Sequence, residues 1–375
     1  MGLLDYFNKK ELPVEKPLGV DEVNSMQLSA VTDLPTISKN RKGYMEYGDD
    51  NNYPEFLKDM YNSSPTHNAI VSTKAEIMIG EGWVIDDTTL SEEEKIRILS
   101  LLNQIDRNLY DYSLDFQLIG AMAFEIIWSL DFKKVVAVNR IDVSKLRSGE
   151  YVDGKIESWF YKRDWENRNE EMIEIKSLDL SNKTDGRQVL YVPGKKVSND
   201  YYGDVSYIGA MDWITLESQV GLYYKSLIEN GFNPSIIVKF YKKPQSQDEK
   251  KEVIRGLDMS YGGVKNAGKR MVIFSDGKEL APDIEPIDVQ NVDKQFTVIS
   301  DQITQKILTG ERATSAELFS IAVPGQLGSG DFETKVKVFE KFVIRPDQKR
   351  FEKAINQILN LNGWNVNFKL NPFKI

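Results

Sequence analysis

The chain has 375 residues, 41% of them hydrophobic and 28% charged, with a formal net charge of −9 and no cysteine. That composition suits two or three domains, or one subunit of several parts, with enough apolar residues to bury a core. It excludes disulfides, iron–sulfur clusters, thiolate zinc sites and cysteine nucleophiles, and it is far from the basic balance of a protein that grips nucleic acid. No apolar run approaches the ~20 residues of a membrane span. The start, "MGLLDYFNKK", has no signal-peptide layout, and Tyr6 breaks the myristoylation pattern, so synthesis in a reducing cytoplasm is expected.

Residues 1–43 carry Pro13, Pro17 and Pro35 with little periodicity and read as an extended arm. Asp49, Asp50, Asn51 and Asn52 offer oxygen ligands without the spacing of a calcium loop, so a solvated turn capping the next helix is expected. Ser64 and Pro65 open a helix running to Gly80. His67, the single histidine, falls in its first turn as a surface or packing residue, because no triad partner is apparent. Ser91 and Glu94 form a capping box for a further helix whose buried face is expected to hold Ile96, Ile98, Leu99, Leu101 and Leu102. "LIGAMAFEIIWSL" then turns into extended structure. Four strand-like stretches follow between residues 133 and 193, "KVVAVNRIDV", "KIESWFYKRDW", "MIEIKSLDL" and "RQVLYVPG".

From Ser206 to Asn230, Ile208, Met211, Ile214, Leu222 and Ile228 recur at helical spacing, and Gly231 supplies a stop. Such a helix would be roughly 35–40 Å long. A small α/β insert follows, in which Asn233 to Gln290 hold ten Lys/Arg against nine Asp/Glu, so this segment is +1 and the remainder −10. Its basic cluster, Lys242, Lys243, Lys250 and Lys251, either meets an acidic partner or solubilises a surface beside Asp248, Glu249 and Glu252. The next helix carries Phe296, Ile299, Ile303 and Ile307 on one stripe. A long helix pair with few internal partners favours a subunit interface there over an intrachain core.

That helix leads into "FSIAVPGQLGSGDFETKVKVFEKF". Pro324, Gly325, Gly328, Ser329 and Gly330 separate two helical segments, and the preceding strand and Gly-Lys-Ser/Thr of a P-loop are missing. Asp331 is placed to cap the following helix, Pro346 to break or kink it, and "WNVNFKL" to close the chain as a strand.

In order and spacing, three stretches of the chain resemble the portal, or head-to-tail connector, proteins of tailed bacteriophages. They are "YGDDNNYPEFL", "YYGDVSYIGAMDWITLESQVGLYYKSLIENGFNPSIIVKF" and "ILTGERATSAELFSIAVPGQLGSGDFETKVKVFEKFVIRPDQKRFEKAIN". The resemblance implies an α+β fold, an elongated portal-like subunit with an α/β wing, a two-helix stem, a small α/β clip insert and a long kinked C-terminal helix. By position it implies an N-terminal arm at 1–43, a wing at 44–204, stem helices at 205–231 and 291–309, a clip at 232–290 and a tunnel loop at 310–330. Residues 331–375 then form the kinked helix and terminal wing strand, with little or no crown.

Portal subunits form a homo-oligomeric ring, generally of twelve, at one capsid vertex, and double-stranded DNA passes through it non-specifically during packaging and ejection. The resemblance implies as partners a terminase large subunit at the clip, a head–tail adaptor, and the major capsid and scaffold proteins. It places the chain in the virion, after assembly in the host cytoplasm, with no membrane, catalytic residue, metal or cofactor. Glu311, Arg312, Glu317, Pro324, Gly325, Gln326, Gly328, Ser329 and Gly330 are the channel residues it points to. Lys242, Lys243, Lys250 and Lys251 would face the clip partner, and Phe296, Ile299, Ile303 and Ile307 the neighbouring stem.

The charges agree with weak gripping. Residues 311–331 hold Glu311, Glu317 and Asp331 against Arg312, and the first stem helix holds Asp212, Glu217 and Glu229 against Lys225, each net −2. A basic bore would instead hold DNA through counterion release. Competing classes are a carboxylate and magnesium enzyme of phosphoryl or nucleotidyl transfer using Asp49 and Asp50, and an adaptor ring of the virion without a DNA-wide channel.

Overall fold

A computed structural model describes residues 35–86, 90–180, 186–229, 237–240, 271–274, 292–313, 315–321 and 332–373, with single residues of the insert at 246, 248, 251 and 255. Two short strands, β1 (Ile37–Lys39) and β2 (Met45–Tyr47), form an antiparallel pair. Helices α1 (Tyr53–Ser63) and α2 (Pro65–Ile79) follow, then β3 (Trp83–Ile85), α3 (Glu92–Asp106) and α4 (Leu109–Ile119). The capping box at Ser91 and Glu94 forms as expected. The face of α3 is narrower than its sequence suggests: Ile98, Leu101, Leu102 and Ile105 are buried, whereas Ile96 and Leu99 are exposed.

The strands β4 (Ala121–Trp128), β5 (Val135–Arg140), β6 (Leu146–Ser148), β7 (Tyr151–Val152), β8 (Lys155–Ile156), β9 (Ser158–Tyr161), β10 (Ile173–Ser177) and β11 (Arg187–Pro193) come next. Six of them form one sheet in the order β5-β4-β11-β10-β9-β6, antiparallel except where β10 meets β11. The inner strand β4 is covered at nearly every position, which is why it reads as a continuous apolar run. Gly120 sits between α4 and β4 at φ +81°, and a Cβ there would lie 2.8 Å from the backbone of Gly203 and Asp204. Only glycine turns the helix into the strand at so close an approach.

Later elements are α5 (Met211–Glu229), entered through a tight turn at Ile208–Ala210, and the parallel strands β12 (Ile237–Phe240) and β13 (Met271–Phe274). Then come α6 (Val292–Gly310), α7 (Phe332–Phe339), α8 (Arg345–Leu361) and β14 (Phe368–Leu370), which pairs with β3. At 1.5 Å per residue α5 spans about 28 Å, shorter than its sequence suggests, because residues before Met211 coil more tightly. Between α7 and α8 the chain forms a wider π-helical turn, Glu340–Ile344. The helical course continues through that turn into α8, and the irregularity directly before Pro346 is what lets a proline sit within it.

The core joins the sheet to α4 and α8. Tyr112 stacks on Phe124 at 4.4 Å between ring centroids, and Phe351 meets both rings at 6.0 and 5.9 Å, so one aromatic cluster ties three elements together. A polar stitch holds the "YGDDNNYPEFL" segment to the sheet. Arg147, fully buried, donates to the Asn51 side chain at 2.5 Å and carbonyl at 2.6 Å, and to the carbonyls of Ser144 and Leu146. The turn is thus only partly solvated: Asn51 is a structural acceptor, and Asn52 begins α1 without a side-chain capping bond.

Candidate assembly surface and its buried anchor

The helix pair α5–α6 is packed against the body at one end and, among the described residues, carries exposed apolar side chains further along. Ile214 of α5 and Ile303, Ile307 and Leu308 of α6 enter the core, with Trp213, Leu216 and Val220 half-buried against it. The two helices touch each other through Tyr224 and Phe296, whose rings lie 3.5 Å apart. Beyond these contacts Leu222, Tyr223, Val298 and Ile299 are 62, 59, 55 and 45% exposed. Of the stripe assigned to a subunit interface, Ile303 and Ile307 are corrected to intrachain core, because the body of the same chain already covers them. Phe296 is half-buried and Ile299 is open.

Gly310 closes α6 against the turn before α5. A Cβ at Gly310 would stand 2.5 Å from the Ala210 Cβ, so the two chain segments approach as near as a glycine permits. The helix then ends in a Schellman pattern, with Ala313 N–H bonded to the Leu308 carbonyl at 2.8 Å and Arg312 N–H to that of Thr309 at 3.0 Å. Arg312 occupies the left-handed position at φ +60°, where glycine is usual. A second closed turn follows at Ala316–Phe319, whose Phe319 ring meets Phe339 of α7 edge-on at 5.3 Å. Both described ends of the 322–330 segment are therefore fastened to the body.

The strongest fastening is Glu311. Its carboxylate accepts from His67 Nδ1 at 2.6 Å and from Lys74 Nζ at 2.5 Å, with all three side chains at most 1% exposed. Burial pushes the Glu311 carboxyl up, but the opposing charge of Lys74 and the His67 hydrogen bond outweigh it and hold the group below its ordinary value. Tyr207 lies edge-on to His67 at 4.3 Å and donates to the Leu118 carbonyl at 2.6 Å. Above this cluster, Glu217 of α5 accepts from Thr66 Oγ1 at 2.5 Å, from its N–H at 3.3 Å and from Ser64 Oγ. A carboxylate from α5 thus sits on the positive end of α2.

Glu311 is corrected from a channel side chain to a buried anchor, since a carboxylate enclosed within its own chain cannot line a bore. Arg312 is exposed and Glu317 half-buried. Pro324, Gly325, Gln326, Gly328, Ser329 and Gly330 lie outside the described residues, as do Lys242, Lys243 and Lys250; Lys251 is helical and exposed. Sequence reasoning missed the Lys74–Glu311–His67 cluster because its members are 237 and 244 residues apart. The available signal was weak: a lysine set between Ile70, Val71, Ala75 and Met78 at the inner positions of α2.

Together these features define an α+β chain with a sheet-and-helix body and a helix pair on which Leu222, Tyr223, Val298 and Ile299 are exposed. Family models and curated proteins yield no match to the chain. Its fold is that of chains in gene transfer agent particles. The neck of the empty particle, with C6 symmetry, aligns with a TM-score of 0.58 at 14% identity, covering 85% of this chain and 84% of that one. A chain of the native virion aligns at 0.56 and 14%, covering 85 and 83%. The neck of the native particle, with C12 symmetry, gives 0.56 and 14%, covering 84 and 83%.

Proposed function

We propose that the chain is a portal subunit, a structural protein that closes with copies of itself into a ring at a capsid vertex and forms the passage for double-stranded DNA. The observation that carries this reading is the exposed apolar group on α5–α6, Leu222, Tyr223, Val298 and Ile299, in a chain with the fold of virion neck subunits. An apolar face of that kind on a rigid helix pair is complementary to the same pair of a neighbouring copy. The twelve-fold symmetry of one similar neck supports twelve copies.

In this reading residues 310–330 supply the constriction. Glu311 and Phe319 anchor the end that enters it, and Gly325, Gly328 and Gly330 give backbone freedom between the anchors. Residues 232–290, with Lys242, Lys243, Lys250 and Lys251, form the face toward the terminase large subunit and later the head–tail adaptor; capsid and scaffold proteins surround the ring. The work of translocation belongs to a separate ATPase. Electron microscopy of the purified full chain tests the reading: rings with a central hole are expected, and a compact lone particle under all assembly conditions would overturn it.

A further inference from the structure

Beyond the loop, the chain from α7 through the π-helical turn into α8 carries a cation at every fourth residue: Lys337, Lys341, Arg345, Lys349 and Lys353. Residues 333–353 hold seven Lys/Arg against four Asp/Glu, a net +3 within a chain of −9. An α-helix repeating every fourth residue drifts by about 40° per step, which would wind such a row off one face. The wider turn at Glu340–Ile344 rotates less per residue and takes back part of that drift, which brings Lys341 nearer the face of Lys349 and Lys353 than an unbroken α-helix would.

The acids of the segment are largely committed. Glu333 pairs with Lys337, Glu352 with Arg345 at 2.8 Å, and Asp347 with Arg350 at 2.9 Å. Lys341, Lys349 and Lys353 are exposed and have no acidic partner among the described residues; Lys341 lies 5.6 Å from the exposed Phe342 ring. Three uncommitted charges on a rigid rod, spread over about 18 Å, form a linear cationic edge.

We infer that this edge binds the phosphate backbone of double-stranded DNA without regard to sequence. An extended edge of point charges matches a rod-like polyanion better than it matches a globular acidic surface. Its free members are lysines, which meet phosphates as point charges and lack the planar fork that reads guanine. The inference deepens the portal reading and rests on it for the source of the DNA: the acidic stem lets the duplex slide, and this edge makes salt-labile contacts next to the loop.

The test is fluorescence anisotropy of the full chain with a labelled random-sequence duplex of about 30 base pairs across a salt series. Replacing Lys341, Lys349 and Lys353 together by Gln is expected to weaken binding at least ~10-fold and to lower the salt slope by about three; Lys349→Gln alone should lower it by about one. A control triple, Lys42, Lys95 and Lys155 to Gln, should leave the slope unchanged. An unaltered slope in the first triple, an equal loss in the control, or tighter capture of a polyglutamate chain than of DNA would overturn the inference. Rings that form with an unaltered slope sink this inference and leave the portal reading standing. A lysine-dependent slope in a chain that never forms rings does the reverse.

Discussion

Charges flank the 322–330 segment on both sides, and they do opposite things. Before it, Glu311 is enclosed with Lys74 and His67, both paired to its carboxylate. After it, Lys341, Lys349 and Lys353 stand in solvent without an acidic partner among the described residues. Enclosed charges fix geometry, because separating them strands an ion in a poor solvent. Exposed charges contribute little to the fold and are free to exchange partners. Depth, rather than residue type, separates an anchor from a contact surface, and depth is set by elements far away in the chain.

The comparison breaks most visibly at Lys74. Lys74→Met leaves the buried Glu311 carboxylate without its main counter-charge and should cost about 3–5 kcal/mol by urea unfolding. Adding Glu311→Gln should recover part of that loss, since a buried ion no longer stands alone. A change below 1 kcal/mol in the single variant would show that the cluster is not the anchor.

The same cluster predicts an acid limb in the stability profile. The Glu311 carboxyl is held below its ordinary value of 4.5. A group depressed in the folded state stabilises at pH values above its unfolded value and loses that contribution as pH falls through the folded one. The wild-type chain should therefore weaken below about pH 4.5, and Glu311→Gln should flatten that limb, read by denaturation at a series of pH values. An unchanged limb would assign acid sensitivity to other carboxylates.

At Gly310 the expected effect is smaller. Gly310→Ala pushes a methyl to 2.5 Å from the Ala210 Cβ and should cost about 1–3 kcal/mol, with Ala210→Gly returning much of it. Two residues on, Arg312→Gly should be neutral or stabilising by up to ~1 kcal/mol in thermal unfolding, because an arginine at φ +60° carries a steric cost that glycine lacks. A loss of stability there would mean that its contact with the Phe342 carbonyl at 3.4 Å matters more than the backbone strain.

Much of this was legible in the residues themselves. Ser64–Pro65 and Ser91–Glu94 mark helix starts through local chemistry, and the alternation from 133 to 193 marks strands, because both signals lie within a few residues. The order of body, helix, insert, helix and glycine-rich loop carries the fold resemblance. What stayed hidden was every pairing across the chain: Arg147 with Asn51, Glu217 over α2, and Glu311 between Lys74 and His67. The stripe on α6 shows the same limit. Its period announces an apolar face but does not tell whether that face meets its own chain, as at Ile303 and Ile307, or is left open, as at Ile299.

That split stripe yields the smallest effect on the fold and the sharpest separation between the two ends of the helix pair. Leu222→Ser, Val298→Ser and Ile299→Ser each remove apolar surface that water already reaches in the single chain, so each should change monomer stability by no more than about 0.5 kcal/mol. Ile307→Ser, about two turns deeper into the body, removes a fully buried side chain and leaves a polar group there, which should cost several kcal/mol. If α5–α6 meets a neighbouring copy, the three exposed substitutions combined should abolish rings in mass photometry while leaving the unfolding curve of the monomer in place. If they unfold the monomer instead, the far end of the helix pair is core within one chain, and the assembly surface must be sought elsewhere.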